Sequence, residues 1–376
     1  MSEWAARAAA VERAVHTRHL RWLCGLPDIR LGRTEWPGRS VPRRSAHWHY
    51  WWQAHLLDCA LDAYQRAPTQ WRRDTIAALV RGVRVRNVTG WVNNYYDDVA
   101  WLGLALQRGA TLAGLRQPGA EQAIMRRLRF GRGPSGGMRW RVGDDFVNVP
   151  ATGPAAIFYA RRGNVGIAAS LVDWMLEHLI DPDTGLVFDG ARVNQDGSVR
   201  AVERTIYSYC QGVLLGACVE LGTATGAPRW WRQADATVHA VAEHLTDGGV
   251  LRGHGGGDGG LFTGILARYL AVAALALPAD LPTTLFADLP CALPAGTVAA
   301  RLVLDSAEAA WRNRGVADGG PVFGPQWTVP ALLPSPGLGT GEAERDLSVQ
   351  LSGWMLLEAA AVLSSHAEAA AGRIRR

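Results

Sequence analysis

About twelve stretches of this chain repeat their apolar residues at helical spacing, and they come in two kinds that alternate. The stretches are 2–25, 46–66, 69–85, 97–113, 118–131, 145–162, 164–180, 205–223, 227–245, 259–275, 295–313 and 342–364. The first, third and every further odd one reads as an amphipathic surface helix. The even ones open on a polar and aromatic cluster and then turn small and apolar. Those clusters are His47-Trp48-His49-Tyr50-Trp51-Trp52, Asn93-Asn94-Tyr95-Tyr96-Asp97-Asp98, Asp144-Asp145-Phe146-Val147-Asn148, Tyr207-Ser208-Tyr209-Cys210-Gln211 and Asp258-Gly259-Gly260-Leu261-Phe262. A helix that is apolar nearly all round must be covered on most sides. A ring of six outer and six inner helices covers it, and Gly103, Ala105, Gly212, Gly216, Ala217, Gly264 and Ala267 are small enough for such inner packing. The inner helices then start on one side of the ring, where their clusters meet in a cleft. A plain helical bundle accounts for the apolar helices but not for a cluster at every second start. Strand signals are scarce.

Composition narrows the partners. The 376 residues are 48% hydrophobic and 19% charged, which suits one closed globular unit over residues 1–376. The net charge is +5, and every positive residue is arginine. These arginines are scattered among acids and form no basic stripe, so no nucleic-acid partner is expected. No run of about 18 uncharged apolar residues occurs, so no membrane span is expected. Residues 1–18 are Ala-rich but broken by Glu3, Arg7, Glu12 and Arg13, unlike a signal peptide. A cytoplasmic protein, or one exported by another route, follows as the expectation. Cys24, Cys59, Cys210, Cys218 and Cys291 lack zinc-site spacing and read as free thiols.

Asp97 and Asp98 open the helix Val99–Leu106. Taken alone, they read most simply as a helix cap, because acids are favoured at helix starts. Their neighbours Trp91, Asn93, Asn94, Tyr95, Tyr96 and Trp101 exceed what a cap needs. Aromatic faces stack on sugar C–H surfaces, and amides bond hydroxyls. Adjacent Cα atoms are about 3.8 Å apart, so two diverging carboxyl groups can reach the separation of about 5 Å that retaining glycoside hydrolysis uses. Close like charges push their pKa values apart, which keeps one protonated.

The segment from Asn94 to Trp101 resembles the Tyr-Tyr-Asp-Asp-x-Ala-Trp signature of glycoside hydrolase family 76, the endo-α-1,6-mannanases. Gly136-Gly137-Met138-Arg139-Trp140 is similar to the family's Gly-Gly-hydrophobic-x-Trp loop. Val147–Pro154, with Asn148, resembles an inner-helix start. Gly185-Leu186-Val187-Phe188-Asp189-Gly190 resembles its Gly-Leu-x-Tyr-Asp-Gly strand or turn. Tyr207–Gly212, with Tyr209 and Gln211, resembles Thr-Tyr-Asn-Gln-Gly. Gly260–Ile265 with Arg268 resembles Phe-Lys-Gly-Ile-x-x-Arg through Phe262. The matches run in order from about Trp51 to Trp327. Cys210 replaces a common Asn and Thr263 a common Lys.

The resemblance implies an all-α (α/α)6 barrel. It implies retaining endo-hydrolysis of α-1,6-mannosidic linkages, with Asp97 as nucleophile and Asp98 as general acid/base. Expected substrates are α-mannan oligosaccharides, polysaccharides or lipoglycans. Trp48, Trp101, Trp140, Asn148 and Asp189 join the substrate-binding candidates, and Trp51 and Trp91 are further sugar platforms. Two carboxylates suffice for this chemistry, so no metal or organic cofactor is expected. A transglycosylase of the same family acting on cell-envelope glycans would carry the same residues. A non-catalytic glycan-binding protein would keep the aromatics but tolerate loss of an aspartate.

Other signals are weaker. Gly255–Gly260 contains G-x-G-x-x-G but follows no strand, and reads as a flexible loop able to close over substrate. His47, His49 and His55 have no acidic or thiol ligand beside them, and read as sugar contacts or packing. Trp174, Trp311 and Trp354 read as core. Asp144 and Asp145 read as cleft acids or caps, and Arg139 and Arg268 as their partners or as sites for an anionic group on the glycan.

Overall fold

The computed structural model describes residues 2–23, 25–26, 28–37, 48–278, 293–334 and 342–374. Twelve α-helices lie in these residues. They are α1 (Glu3–Arg18), α2 (Tyr50–Arg66), α3 (Gln70–Arg86), α4 (Tyr96–Ala113), α5 (Pro118–Gly131), α6 (Val149–Arg161), α7 (Val165–His178), α8 (Ser208–Thr225), α9 (Pro228–His244), α10 (Phe262–Ala276), α11 (Ala295–Arg312) and α12 (Leu347–Ile374). The even helices touch in sequence, α2 on α4, α4 on α6, α6 on α8, α8 on α10 and α10 on α12. The ring closes where α12 packs back onto α2. Odd helices lie outside, each against its inner partners. The fold is the (α/α)6 barrel.

Burial follows the expected alternation. Fourteen of the 18 residues of α8 are buried, against five of the 14 in α7. An inner helix has neighbours on three sides, so close approach matters more than bulk. A Cβ added to Gly264 would lie 2.5 Å from the Cα of Ser352 on α12, and one added to Gly212 would lie 3.0 Å from the Cα of Leu266 on α10. Both sites therefore need glycine. Two helices, Gly257–Ala276 and Leu347–Ala371, are long and apolar enough to cross a membrane, and 67% and 89% of those windows are buried inside the protein. Inner-ring packing explains that apolarity.

The closure between α12 and α2 carries a buried charge network. Arg66 on α2 bonds Glu358 on α12 and Glu12 on α1, both at 2.9 Å. Arg72 on α3 bonds Glu12 at 2.7 Å. The Trp354 indole donates to Glu358 at 2.9 Å. Each buried charge is thus paired and hydrogen-bonded, as burial requires.

Several boundaries differ from the sequence expectation. The first helix stops at Arg18, because β1 (Leu20–Trp22) pairs with β2 (Arg30–Gly32). The stretch 145–162 begins as β3 (Phe146–Asn148), which pairs antiparallel with β4 (Gly190–Val193); β4 in turn pairs with β5 (Val199–Glu203). Helix α6 starts only at Val149, with the Asn148 side chain accepting from Ala151 N. Two further two-stranded hairpins lie at 246–251 and 315–322. His47, Cys24 and Cys291 lie outside the described residues; Cys59, Cys210 and Cys218 are free and buried.

Candidate active site

The inner helices begin on one side of the ring, as their alternation requires, and Asp97 and Asp98 occupy the first turn of α4. Neither serves as the N-cap. Tyr95 holds that position with no side-chain cap bond. The carboxylates turn outward to other partners. The Trp140 indole donates to Asp97 Oδ2 at 3.0 Å, and the Asn93 amide donates to Asp98 Oδ2 at 2.5 Å. Asp97 Oδ1 accepts the backbone N–H of Asp98 at 2.9 Å. Asn93 is itself fixed, since its Oδ1 accepts from Tyr95 N at 2.9 Å. Trp140 is set by the loop before β3, through backbone bonds to Phe146 and Tyr96 at 2.8 Å.

Electrostatics separates the two acids. Burial raises the Asp97 carboxyl to about 6, with the Asp98 N–H and the Trp140 indole pulling the other way and the Asp258 charge adding to the rise. Asp98 is pushed well above the usual carboxylate range by burial first and then by the charge of Asp97. The helix N-terminus favours anions, yet loss of water outweighs it here. Burial and the mutual charge of the pair thus both work against ionisation of the two carboxyls together.

A third acid faces the same space. Asp189, just before β4, is raised to about 7 by burial, then by Glu203 and Asp97. The buried Cys210 thiol lies 4.0 Å from its Oδ1. Burial pushes the Cys210 thiol up, so it meets Asp189 as S–H. The aromatic floor is continuous. Tyr209 stacks on Phe262 at 3.9 Å and 11°, Tyr207 meets Phe262 edge-on at 5.1 Å, and Trp51 lies 6.3–6.4 Å from Phe262 and Tyr209. Tyr95 packs edge-on against Trp140 at 5.3 Å.

Other candidates have different work. Trp101 is 5% exposed and sits under the floor against His55. His55 is buried too. Gln211 is buried and bonds the backbone of Val187 at 2.8 Å through both its amide atoms. Tyr96 and Asn148 are buried, and Gly137 passes beneath Trp174 where a Cβ would lie 2.6 Å from the ring. Gly136 has φ +100°, a conformation suited to glycine. Trp48 packs on Tyr50 and carries Arg86 over its ring, while Arg84 lies over Trp91. Asn94 is exposed. Asp144 and Asp145 are held at the rim by Arg141, Arg192 and Arg200. Arg268 does not reach them: it pairs with Asp58 and Asp62 inside the ring, beside Arg108. Arg139 is part-exposed on the Trp140 loop. Thr263 bonds the Arg252 carbonyl at 2.8 Å.

Two groups have contacts that the sequence reading did not assign. His254 Nε2 accepts the Ser208 N–H at 3.2 Å, capping α8 from a distant loop. Asp258 accepts both the Trp51 and Trp52 indoles. Among the described residues no group of His, Cys, Asp and Glu is arranged to hold a metal ion.

The raised carboxyls have a cost in stability. A carboxyl whose folded value exceeds its unfolded value of about 4 stabilises the fold below that value and loses the contribution as pH rises through the folded one. For Asp97 that window runs from about 4 to about 6. The double variant Asp97→Asn, Asp98→Asn is expected to melt about 3 °C or more above the parent at pH 8. The difference should shrink toward zero below pH ~4. Calorimetry at the two pH values checks this; a gap of equal size at both would contradict it.

A helical toroid holding an unequal carboxylate pair in an aromatic cleft defines a glycoside hydrolase. The family model for glycosyl hydrolase family 76 matches residues 32–331, and the chain belongs to that family. The GH76A α-1,6-mannanase of Salegentibacter sp. HEL1_6 is 29% identical over 96% of this chain and 100% of its own, with a TM-score of 0.79. An inactive variant of it, with two consecutive aspartates changed to asparagine, was solved with α-1,6-mannotriose and gives 0.80. The mannosidase Bt3792 of Bacteroides thetaiotaomicron is 17% identical over 97% of this chain and 100% of its own, with a TM-score of 0.72, and shares the fold. A search of curated proteins found no match.

Proposed function

We propose that this chain is a retaining endo-α-1,6-mannanase, with Asp97 as nucleophile and Asp98 as general acid/base. The observation that carries the reading is the adjacent carboxylate pair in the first turn of α4, with Asp97 held by the Trp140 indole and Asp98 by the Asn93 amide. An Asp97 oxygen attacks the anomeric carbon as the bond to the leaving oxygen breaks, and Asp98 gives that oxygen its proton. Water then adds to the same carbon, its proton passes to Asp98, and Asp97 leaves as carboxylate. Trp140 and Asn93 hold the two groups apart and aimed. The Salegentibacter mannanase supports the substrate, since its inactive aspartate-pair variant binds α-1,6-mannotriose.

Incubation with linear α-1,6-mannan, followed by NMR of the first-formed product, tests the reading. The expected result is shortened chains with a newly formed α-anomer. A β-anomer would remove the covalent mechanism. Lengthened chains would make the protein a transglycosylase, and binding without cleavage would make it a lectin.

A further inference from the structure

We propose that Asp258 is a positioning residue, whose carboxylate ties the Trp51 and Trp52 indoles together and holds Trp51 as a platform for a glycosyl ring beside the carboxylate pair. The proposal rests on the mannanase reading of the cleft for its substrate, though not for its geometry. Asp258 lies just before α10, on the opposite side of the closure from α2. Its Oδ1 accepts the Trp51 indole at 3.0 Å and the Trp52 indole at 2.8 Å, with His49 Nδ1 at 3.8 Å. Trp52 is 2% exposed and stacks on His49 at 4.0 Å, so it is anchored by packing. Trp51 is part-exposed and borders Tyr209 and Phe262 at the edge of the floor. An indole at such an edge has an apolar face to offer and one N–H to satisfy. The Asp258 bond supplies that partner and sets the ring plane.

The segment carrying Asp258, read from the sequence as a flexible loop, is tied to the start of α12 by hydrogen bonds. Gly257 N donates to Asp346 at 2.7 Å, and Ser348 donates to the Gly257 carbonyl at 2.6 Å. A Cβ on Gly253 would lie 1.8 Å from the Pro325 carbonyl oxygen, and one on Gly259 2.2 Å from that of His254. Gly253 and Gly259 are there for contact, while Gly255 and Gly257 take positive φ with open space around them. Trp51 also packs edge-on against His55, whose ring lies 4.6 Å from that of Trp101 on α4, the helix that carries the pair.

Asparagine keeps an acceptor oxygen at this position and alanine does not. The test is a cycle of Asp258→Asn, Asp258→Ala, Trp51→Ala and the Asp258→Ala, Trp51→Ala double variant on α-1,6-mannotetraose. Asp258→Ala is expected to raise KM about tenfold with kcat within about threefold, as loss of one stacking contact does. Asp258→Asn should keep KM within about threefold. In the Trp51→Ala background the Asp258→Ala effect should vanish. Full additivity, or a fall in kcat at constant KM, would overturn the proposal. A second readout needs no turnover: ¹⁹F NMR of protein labelled with 5-fluorotryptophan, the Trp51 signal being found by its loss in Trp51→Phe. Asp258→Ala should shift and broaden that signal while Asp258→Asn leaves it in place, and an unmoved signal in Asp258→Ala sinks the idea. A parent that fails to cleave mannan removes the mannanase reading and leaves the fluorine result to decide the role of Asp258.

Discussion

Asp97→Ala and Asp98→Ala are each expected to lower kcat/KM on α-1,6-mannan by at least about 10⁴-fold while leaving the fold intact. The two losses should differ in kind. Without Asp97 no covalent intermediate can form, so no added nucleophile restores retention. Without Asp98 the intermediate can still form from a substrate whose leaving group needs no proton, and a small anion such as azide can then release it. Activated aryl mannosides should therefore keep a measurable rate in Asp98→Ala, and azide should raise it. Neither side chain holds the N-cap position, which is Tyr95, and of the two only Asp97 accepts a first-turn N–H, that of Asp98. Circular dichroism of both variants should match the parent. Rates within tenfold of the parent in either variant would refute the assignment.

Arg66→Ala is expected to be the most destabilising single change, by about 3–5 kcal/mol. It strips the cationic partner from Glu358, leaving only the Trp354 indole, and one partner from Glu12; both acids are 2% exposed. Removing one member of a buried pair leaves an uncompensated charge, and that cost exceeds what the pair itself contributes. Arg72 still bonds Glu12, so most of the penalty falls on Glu358. Replacing Glu358 by Gln in the same chain should recover part of the loss, because the amide needs no counter-charge. Urea midpoints of the single and double variants measure both effects. A single variant within 1 kcal/mol of the parent would show that water reaches this site.

The ring was legible because two independent signals agreed. Apolar periodicity marked the helices, and the recurrence of clusters at every second start marked which end faced the cleft. Asn93, Asp97 and Asp98 stand in one motif and Trp140 in another, and hydrogen bonds bring the four together. What escaped was of two sorts. The stretch 145–162 carried a helical pattern, yet its first residues pair with β4 over 40 residues away; strands of three residues are too short for a period of two to register. Trp101, Gln211 and Tyr96 stood in site motifs, and burial is a property of neighbours that a local cluster does not encode. The links from Asp258 to Trp51 and from Arg66 to Glu358 span more than 200 residues. Only the closed ring makes them neighbours.

That closure also dictates an order of events during synthesis. Helix α2 leaves the ribosome early, but the surface it turns toward α12 has no cover until the last helix emerges. For the intervening residues the nascent ring is an open horseshoe with two apolar flanks, one on α2 and one on α10. Exposed flanks of this kind are where unfinished chains aggregate or recruit chaperones. Truncation within α12 would leave the carboxylate pair in place and still yield an insoluble product, since what it removes is the keystone of the wall.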